Sequence, residues 1–218
     1  MGKMKKVLIV QPHSDDALFN CGHFILSGDY EVEILTVESD PKRIKEDEDL
    51  YEFLGIPMSH LNVNFIDNSY YGFFKMYKGV DNKNAHSYLK EYFGSEKLDE
   101  IETALLKFVA KFRKKNPEAI ILAPLGIAHP FHYFVHVILE NEADLFYREF
   151  PHSYKKRSQE QFQASLGHYH IFLSEPDLEI HETKFELAKK FYRSQSGLLF
   201  FEQGYIKKQL AEEFYKKL

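Results

Sequence analysis

The chain has almost no cysteine and no tryptophan: Cys21 is the one thiol among its 218 residues. A single thiol cannot form an internal disulfide, so a disulfide-stapled scaffold is excluded and a reducing compartment is favoured. The apolar run that follows the basic start, residues 7–10, is too short for the apolar part of a signal peptide or for a membrane span. We therefore expect a cytoplasmic protein that does not insert into a membrane.

Two further absences narrow the class of protein. The net charge is −5 and no long basic block occurs, so nothing indicates a nucleic-acid partner. The first predicted strand-to-helix turn lacks a G-x-G-x-x-G pattern, which argues against a dinucleotide site. No internal repeat, low-complexity tract or linker divides the sequence, and its length can bury one sizeable core. We expect a single domain over residues 1–218.

Short β-favouring runs alternate with stretches of helical periodicity along most of the chain. Strands are predicted at 6–10, 30–37, 61–66, 119–123, 145–150 and 168–174. Helices are predicted at 17–26, 41–54, 98–113, 129–143, 182–192 and 205–217, with an irregular excursion at 68–94. This alternation predicts an α/β fold, a Rossmann-like three-layer sandwich with a mostly parallel sheet.

The predicted helix at 41–54 has both of its ends marked in the sequence. Asp40 is a good cap and Pro41 suits the first helical position. Gly55 is typical of the residue after a helix end. The acidic run at 46–49 is predicted to be a solvated face.

The turn after the first predicted strand concentrates chemically versatile side chains. His13, Asp15 and Asp16 lie within four residues at the carboxyl end of that strand, where open α/β sheets bind ligands. Histidine and aspartate both bind zinc, and if His13 and Asp16 hold a metal, Asp15 is left to act as a base on an activated water. In the competing interpretation, Asp15 or Asp16 caps the next helix and His13 is a polar residue of the rim. From these residues alone the two interpretations are about equal.

A second group of histidines follows the apolar strand predicted at 119–123. His129, His132 and His136 are three and four residues apart, so on a helix they share one face. Because this segment also follows a strand, its side chains are expected at the same rim as His13 and Asp16. Histidine-rich helices without a metal are commoner, but the occurrence of both groups at strand ends favours a metal site.

Together the two segments resemble the paired signature of the LmbE/PIG-L family of zinc-dependent N-deacetylases, written P-H-P-D-D-E and H-x-D-H. The residues that carry the likeness are HSDD at 13–16 and HPFH at 129–132. Weaker features follow in the family order: RIKE at 43–46 ahead of LG at 54–55, Asp67, YREFP at 147–151, and Lys184 with SQ at 194–195. The resemblance therefore spans most of the chain.

The resemblance implies that His13, Asp16 and His132 bind Zn2+, with another divalent metal such as Fe2+ as an alternative. Asp15 would be the general base. His129 would act as an acid or as an electrostatic partner of the oxyanion. The implied enzyme is a hydrolase that removes an N-acetyl or other short N-acyl group from an amino-sugar conjugate.

The resemblance also implies that Arg43 and Asp67 contact the sugar of a small N-acetylated substrate. For Arg43 the alternative is an exposed residue of the first helical turn, paired with Glu46. His136 has no family role to transfer and is expected beside the ligands or at the surface. Formation of a homo-oligomer is left open.

Three departures from the family signature matter for activity. Ser14 replaces proline, Ala17 replaces glutamate and Phe131 replaces the aspartate between the two histidines. The lost aspartate would orient or charge His129, so the tautomer of that ring is left undetermined. Two other functions therefore stay open: a metal-holding, sugar-binding protein with lost or reduced catalysis, and a metal-dependent esterase or phosphoesterase.

Overall fold

The structure is a computed structural model, and it describes residues 4–38, 40–61, 87, 89–91, 94–127, 129–150, 152–154, 158–175, 177–195 and 211–218. Asp67, most of the excursion predicted at 68–94 and most of the strand predicted at 61–66 lie outside the described residues.

Seven strands form a single sheet within the described residues, in the order β3-β2-β1-β4-β5-β7-β6. The strands are β1 (Lys5–Gln11), β2 (Tyr30–Thr36), β3 (Met58–His60), β4 (Ile120–Pro124), β5 (Leu145–Tyr147), β6 (Tyr169–Glu175) and β7 (Glu212–Lys217). β1 is parallel to β2 and β4, β3 is parallel to β2, and β5 is parallel to β4. Only β7 runs antiparallel to its neighbours β5 and β6. The predicted α/β fold with a mostly parallel sheet is confirmed.

Helices follow most of the strands. They are α1 (Asp16–Asn20), α2 (Gly22–Leu26), α3 (Pro41–Leu54), α4 (Ser95–Lys115), α5 (Pro130–Leu139), α6 (Gln159–Ser165) and α7 (Leu178–Phe191), with single 3-10 turns at His152–Tyr154 and Arg193–Gln195. In the described part of the chain, no helix combines the length and the apolar character needed to cross a membrane.

The predicted ends of α3 are confirmed. The Asp40 carboxylate accepts hydrogen bonds from the backbone N–H groups of Lys42 and Arg43 at the start of the helix. Gly55 follows the helix with a φ of 67°, a left-handed conformation that glycine adopts without a steric cost.

Successive side chains of β1 point into two apolar clusters on opposite faces of the sheet. Leu8 and Val10 belong to the cluster that α4 and α5 cover. Val7 and Ile9 belong to the cluster covered by α1, α2, α3 and α7. β1 is therefore buried on both faces, as expected for the central strand of a parallel sheet, and its carboxyl end lies at the middle of the rim.

The single helix predicted at 17–26 is wrong, because the helix is interrupted at Cys21. The carboxylate of Glu212, which begins β7, accepts hydrogen bonds from the backbone N–H groups of Gly22 and His23 at 2.9 Å each. A side chain from the far end of the chain thus caps a second short helix, which local helical periodicity does not reveal. Cys21 is buried, as expected.

The helix predicted at 205–217 is also wrong over residues 212–217, which form β7; residues 205–210 lie outside the described part. Phe214 and Tyr215 are adjacent, yet they pack into opposite clusters. Adjacent side chains point to opposite faces only in a strand. Pairing with β5 and β6 therefore overrides the local helical preference of this segment.

The solvated face predicted at 46–49 is confirmed for Glu48 and Asp49 and wrong for Asp47, which is buried. Glu46 is half-buried, and its carboxylate accepts hydrogen bonds from the backbone and the hydroxyl group of Ser194. The cause is tertiary: this side of α3 packs against α7 and the turn that follows it. Glu46 and Ser194 belong to two of the weaker features of the resemblance, and they meet in space.

A buried ion pair links α7 to β7 and to α1. The Lys184 ammonium group donates to a Glu212 oxygen at 2.7 Å and to the carbonyl oxygen of Phe19 at 2.8 Å. Lys184 is 1% exposed. The contacts of this pair fix the junction between α1 and α2.

We predict that Lys184→Met lowers the free energy of unfolding by about 3–5 kcal/mol, because it leaves the Glu212 charge buried without its cation. The measurement is urea denaturation followed by circular dichroism. Lys189→Met, on the same helix, removes an exposed pair with Glu186 and should cost less than about 1 kcal/mol. Equal losses for the two variants would contradict the assigned role of the buried pair.

Candidate metal centre

The two predicted segments meet at the carboxyl ends of neighbouring parallel strands. His13 and Asp15 lie in the turn between β1 and α1, Asp16 is the first residue of α1, and His132 lies in the first turn of α5, after β4. His129 directly precedes α5, and Pro130 occupies its first turn. Because β1 pairs with β4, both segments lie at the same rim, as the sequence predicts.

A buried hydrogen-bond network anchors the turn after β1 to the neighbouring strand and helices. The amide of Gln11 accepts from the backbone N–H of Ala17 at 2.9 Å, and it donates to Thr36 and to Asp47, both at 2.7 Å. Asp47 also accepts from the Tyr192 hydroxyl group at 2.5 Å. The network joins both ends of the turn to β2, α3 and the residue after α7.

A second anchor fixes the start of α1. The Asn20 amide donates to the carbonyl oxygen of Asp16 at 2.7 Å and accepts from the backbone N–H of Phe150 at 2.6 Å. Asp15 has a φ of 94° and is the one non-glycine residue with positive φ among the described residues. Such a conformation costs of order 1–3 kcal/mol and is typical of functional sites.

Three donor atoms converge in the buried space between the two segments. Nδ1 of His13 lies 3.1 Å from Nε2 of His132. Oδ2 of Asp16 lies 3.5 Å from the first of these nitrogens and 3.3 Å from the second. A tetrahedral zinc ion with ligands at about 2.0–2.1 Å holds its donor atoms about 3.3 Å apart. The separations and the chemistry of this donor set therefore both fit a zinc ion.

His129 lies beside the same cluster. Three buried histidines lie together there: His13, His129 and His132. One ring nitrogen of each lies within 4.8 Å of one ring nitrogen of the other two. These three histidines are close enough to hold a metal ion. A metal ion held by His13 and His132 would take a third ligand from Asp16, as the resemblance implies, or from His129.

Each of the two central histidines also contacts a buried carboxylate on its outer side. Oε2 of Glu38 lies 3.5 Å from Nε2 of His13. Oε1 of Glu149 lies 3.7 Å from Nδ1 of His132 and accepts hydrogen bonds from the backbone N–H groups of Gly126 and Ile127. Sequence reasoning missed both acids, although each lies two residues beyond a strand end, and Glu149 is part of the YREFP segment.

Burial and neighbouring carboxylates move the pKa values of the two rings in opposite directions. Burial lowers the pKa of His13 to about 4, against the opposing hydrogen bond with Asp16. Burial also disfavours charge on His132, but Asp16 and Glu149 outweigh it and raise the pKa of His132 to about 9. Burial alone would raise the pKa of Asp16, yet the two histidines hold it well below its usual range. The cluster therefore favours a positive charge at its centre.

Arg43 contacts the predicted general base. Its Nη2 atom donates to the carbonyl oxygen of Ser14 at 2.7 Å and lies 3.1 Å from Oδ2 of Asp15. Arg43 is half-buried rather than exposed, and the Glu46 carboxylate accepts hydrogen bonds from Ser194. Its predicted contact with the sugar stays a prediction, as does that of Asp67.

His136 has a structural role outside the cluster. Its Nδ1 lies 2.9 Å from the carbonyl oxygen of Pro124 and its Nε2 lies 3.1 Å from the Tyr169 hydroxyl group, so it joins β4 to β6.

His152 lies beside the cluster, and sequence reasoning missed it. Its ring centroid lies 4.9 Å from that of His129 and 5.2 Å from that of His132. Its sequence signal is its place directly after the YREFP segment. His152 therefore adds a fourth imidazole to the cluster.

Comparison of the chain with protein-family models gave no match, and comparisons with curated proteins and with solved structures gave no significant similarity. Membership of the LmbE/PIG-L family stays a prediction that rests on the motifs quoted above.

Asp47 gives the network under the turn a distinct pH dependence. Burial raises the pKa of Asp47 to about 6, well above that of an ordinary aspartate, against hydrogen bonds from Tyr192 and others. Its contribution to stability is therefore fully present below about pH 4 and is lost as the pH rises through 6. We predict that the free energy of unfolding of the parent, minus that of Asp47→Asn, falls by roughly 3 kcal/mol between pH 4 and 7.

Urea denaturation of the metal-stripped protein at a series of pH values measures this difference. Tyr192→Phe removes a donor that favours the ionised carboxylate, so it should move the pH-dependent step to higher pH. A difference between parent and Asp47→Asn that does not change with pH would contradict the assignment.

Proposed function

We propose that the protein is a zinc-dependent N-deacetylase of the LmbE/PIG-L type, built as a Rossmann-like three-layer sandwich, acting on an N-acylated amino sugar. The observation that carries the proposal is the buried convergence of His13, Asp16 and His132 at donor spacings of 3.1–3.5 Å. Asp15 precedes the ligand Asp16 in the sequence, and its carboxylate contacts Arg43.

A zinc ion held by His13, Asp16 and His132 would supply Lewis acidity and lower the pKa of a water to about 7. With three protein ligands, a position stays open for that water and for the substrate, as in catalytic rather than structural zinc sites. If Asp16 is the third ligand, His129 does not bind the metal and can take another role in the reaction.

We assign to Asp15 the transfer of the proton of the attacking water, as the resemblance implies. The Arg43 guanidinium contacts both Asp15 and the preceding carbonyl oxygen, so it holds the carboxylate in a fixed direction. Asp15 accepts a proton as the water oxygen bonds to the amide carbon. The C–N bond then breaks, a proton passes to the leaving nitrogen, and a carboxylic acid such as acetate and a free amino sugar are released.

His129 is the proposed acid or oxyanion partner of this reaction. Its ring centroid lies 4.3 Å from that of His132 and 4.9 Å from that of His152. In the family signature an aspartate between the two histidines would orient or charge the His129 ring, and here Phe131 replaces it. We propose that the His152 ring is the polar neighbour of His129 instead.

One observation favours a second function, a metal-holding protein that binds sugars without turnover. Phe131 is fully buried, and its ring centroid lies 5.3 Å from that of His13. The side chain that replaces the family aspartate is thus part of the apolar core rather than an acid–base group.

The test measures zinc content and acetate release with a panel of N-acetylglucosamine conjugates. We predict one equivalent of zinc and turnover for the parent. Asp15→Asn should keep the metal and lose activity by roughly 10²–10⁴-fold, because it removes the base and keeps the shape of the side chain. Asp49→Asn, on the exposed face of α3, is the matched control and should leave both readouts unchanged.

Parent-like turnover by Asp15→Asn would remove Asp15 from the mechanism. Zinc binding with sugar binding but without turnover on any N-acyl sugar would support the second function instead.

A further inference from the structure

We infer that Glu38 and Glu149 are positioning residues for the two histidine ligands, so that His13 binds the metal through Nδ1 and His132 binds it through Nε2. This inference rests on the proposed metal site and goes beyond it, because it assigns a ligand atom to each ring and a role to two acids outside the motifs.

The geometry of the two rings is the first support. Each imidazole has one nitrogen facing the centre, Nδ1 of His13 and Nε2 of His132, and these two atoms are 3.1 Å apart. The other nitrogen of each ring faces a carboxylate, at 3.5 Å for Glu38 and 3.7 Å for Glu149. An imidazole that binds a metal through one nitrogen carries a proton on the other, and a carboxylate there fixes the tautomer and makes the ligand more basic.

The order of the strands is the second support. β2, β1, β4 and β5 are consecutive in the sheet, and the segments that follow them carry Glu38, His13, His132 and Glu149 in that same order. Each acid therefore comes from the strand next to that of its histidine, on the side away from the centre. The backbone N–H of Glu38 donates to the carbonyl oxygen of Pro12 at 3.0 Å, which fixes the acid beside the turn that carries His13.

The cost of burying these acids is the third support. The side chains of Glu38 and Glu149 are 0% exposed. Among the described residues, neither carboxylate oxygen of Glu38 accepts a hydrogen bond. A buried carboxylate without a hydrogen bond destabilises the fold. Its presence therefore favours a functional role for Glu38 over a structural one. The N–H that a metal-bound His13 would direct at Glu38 satisfies this acid.

Charge balance agrees with the same assignment. Three carboxylates contact the two rings, those of Asp16, Glu38 and Glu149, and a fourth, that of Asp15, contacts the Arg43 guanidinium. A divalent cation between the two rings brings this group closer to neutrality.

The two acids differ in how they can be tested. Glu149 accepts hydrogen bonds from the loop after β4, so its replacement also perturbs that loop. Glu38 has no such bond among the described residues, so Glu38→Gln removes the charge and keeps the shape with little effect on the rest of the fold. Glu38→Gln is therefore the deciding variant, and Glu149→Gln extends the test where it folds.

The experiment measures the affinity of the 218-residue chain for zinc by competition with a chromogenic chelator. We expect Glu38→Gln to weaken zinc binding 10- to 100-fold, while the melting temperature of the metal-stripped protein is not lowered. Glu48→Gln, an exposed change on α3, is the control and should bind zinc like the parent. In parallel, 15N NMR of the zinc-loaded parent should show the Nε2 atom of His13 and the Nδ1 atom of His132 protonated.

Parent-like affinity in Glu38→Gln, while His13→Ala and His132→Ala lose the metal, would overturn the inference and leave the proposed metal site intact. A zinc-loaded parent with a proton on Nδ1 of His13 would overturn it as well. Failure of the parent to bind zinc would overturn the proposed function and this inference together.

Discussion

The structure depends on one electrostatic constraint: two imidazole nitrogens and a carboxylate oxygen face one another in a buried space. The two nitrogens lie 3.1 Å apart, and each is within 3.5 Å of the Asp16 oxygen. Two lone pairs and a negative charge repel one another at such distances unless a proton or a cation lies among them. A proton on His132 meets this need in part, and a metal ion meets it with all three donors engaged.

The surrounding fold holds these donors in place through buried polar contacts. Gln11 and Asp47 hold the turn from below, Asn20 fixes the start of α1, and Lys184 with Glu212 fixes its end. Each contact joins the turn to a different part of the chain, from β2 to the last strand. A site held by so many distant elements is pre-organised, so metal binding does not have to order the chain. Asp15, directly before the ligand Asp16, is the one non-glycine residue of the described part with a left-handed, strained backbone.

Sequence analysis predicted correctly those elements whose conformation is determined by residues close together in the chain. The capped helix at 41–54, the apolar strands β1 and β4, and the histidine and aspartate spacing all have causes within a few residues. The features that sequence analysis missed depend on distant partners. Cys21 interrupts a helix because Glu212 caps the next one, and Phe214 is in a strand because β5 and β6 lie beside it.

The same reasoning explains which residues of the site were predicted. Two short sequence motifs, HSDD and HPFH, contain the predicted ligands His13, Asp16 and His132, so these residues could be recognised from local spacing. Glu38, Glu149 and His152 reach the cluster only through the order of the strands, which no local pattern specifies. Asp47 was predicted to be exposed because it belongs to an acidic run, and its burial follows from the packing of α3 on the sheet and on α7.

The central claim is that His13 and His132 share one cation. Zinc K-edge X-ray absorption on protein loaded with one equivalent of zinc tests it most directly, with His132→Ala as the comparison. The account predicts two imidazole ligands at about 2.0–2.1 Å in the parent and one fewer in the variant. A spectrum of hydrated zinc, or one that is identical in the parent and the variant, would contradict it.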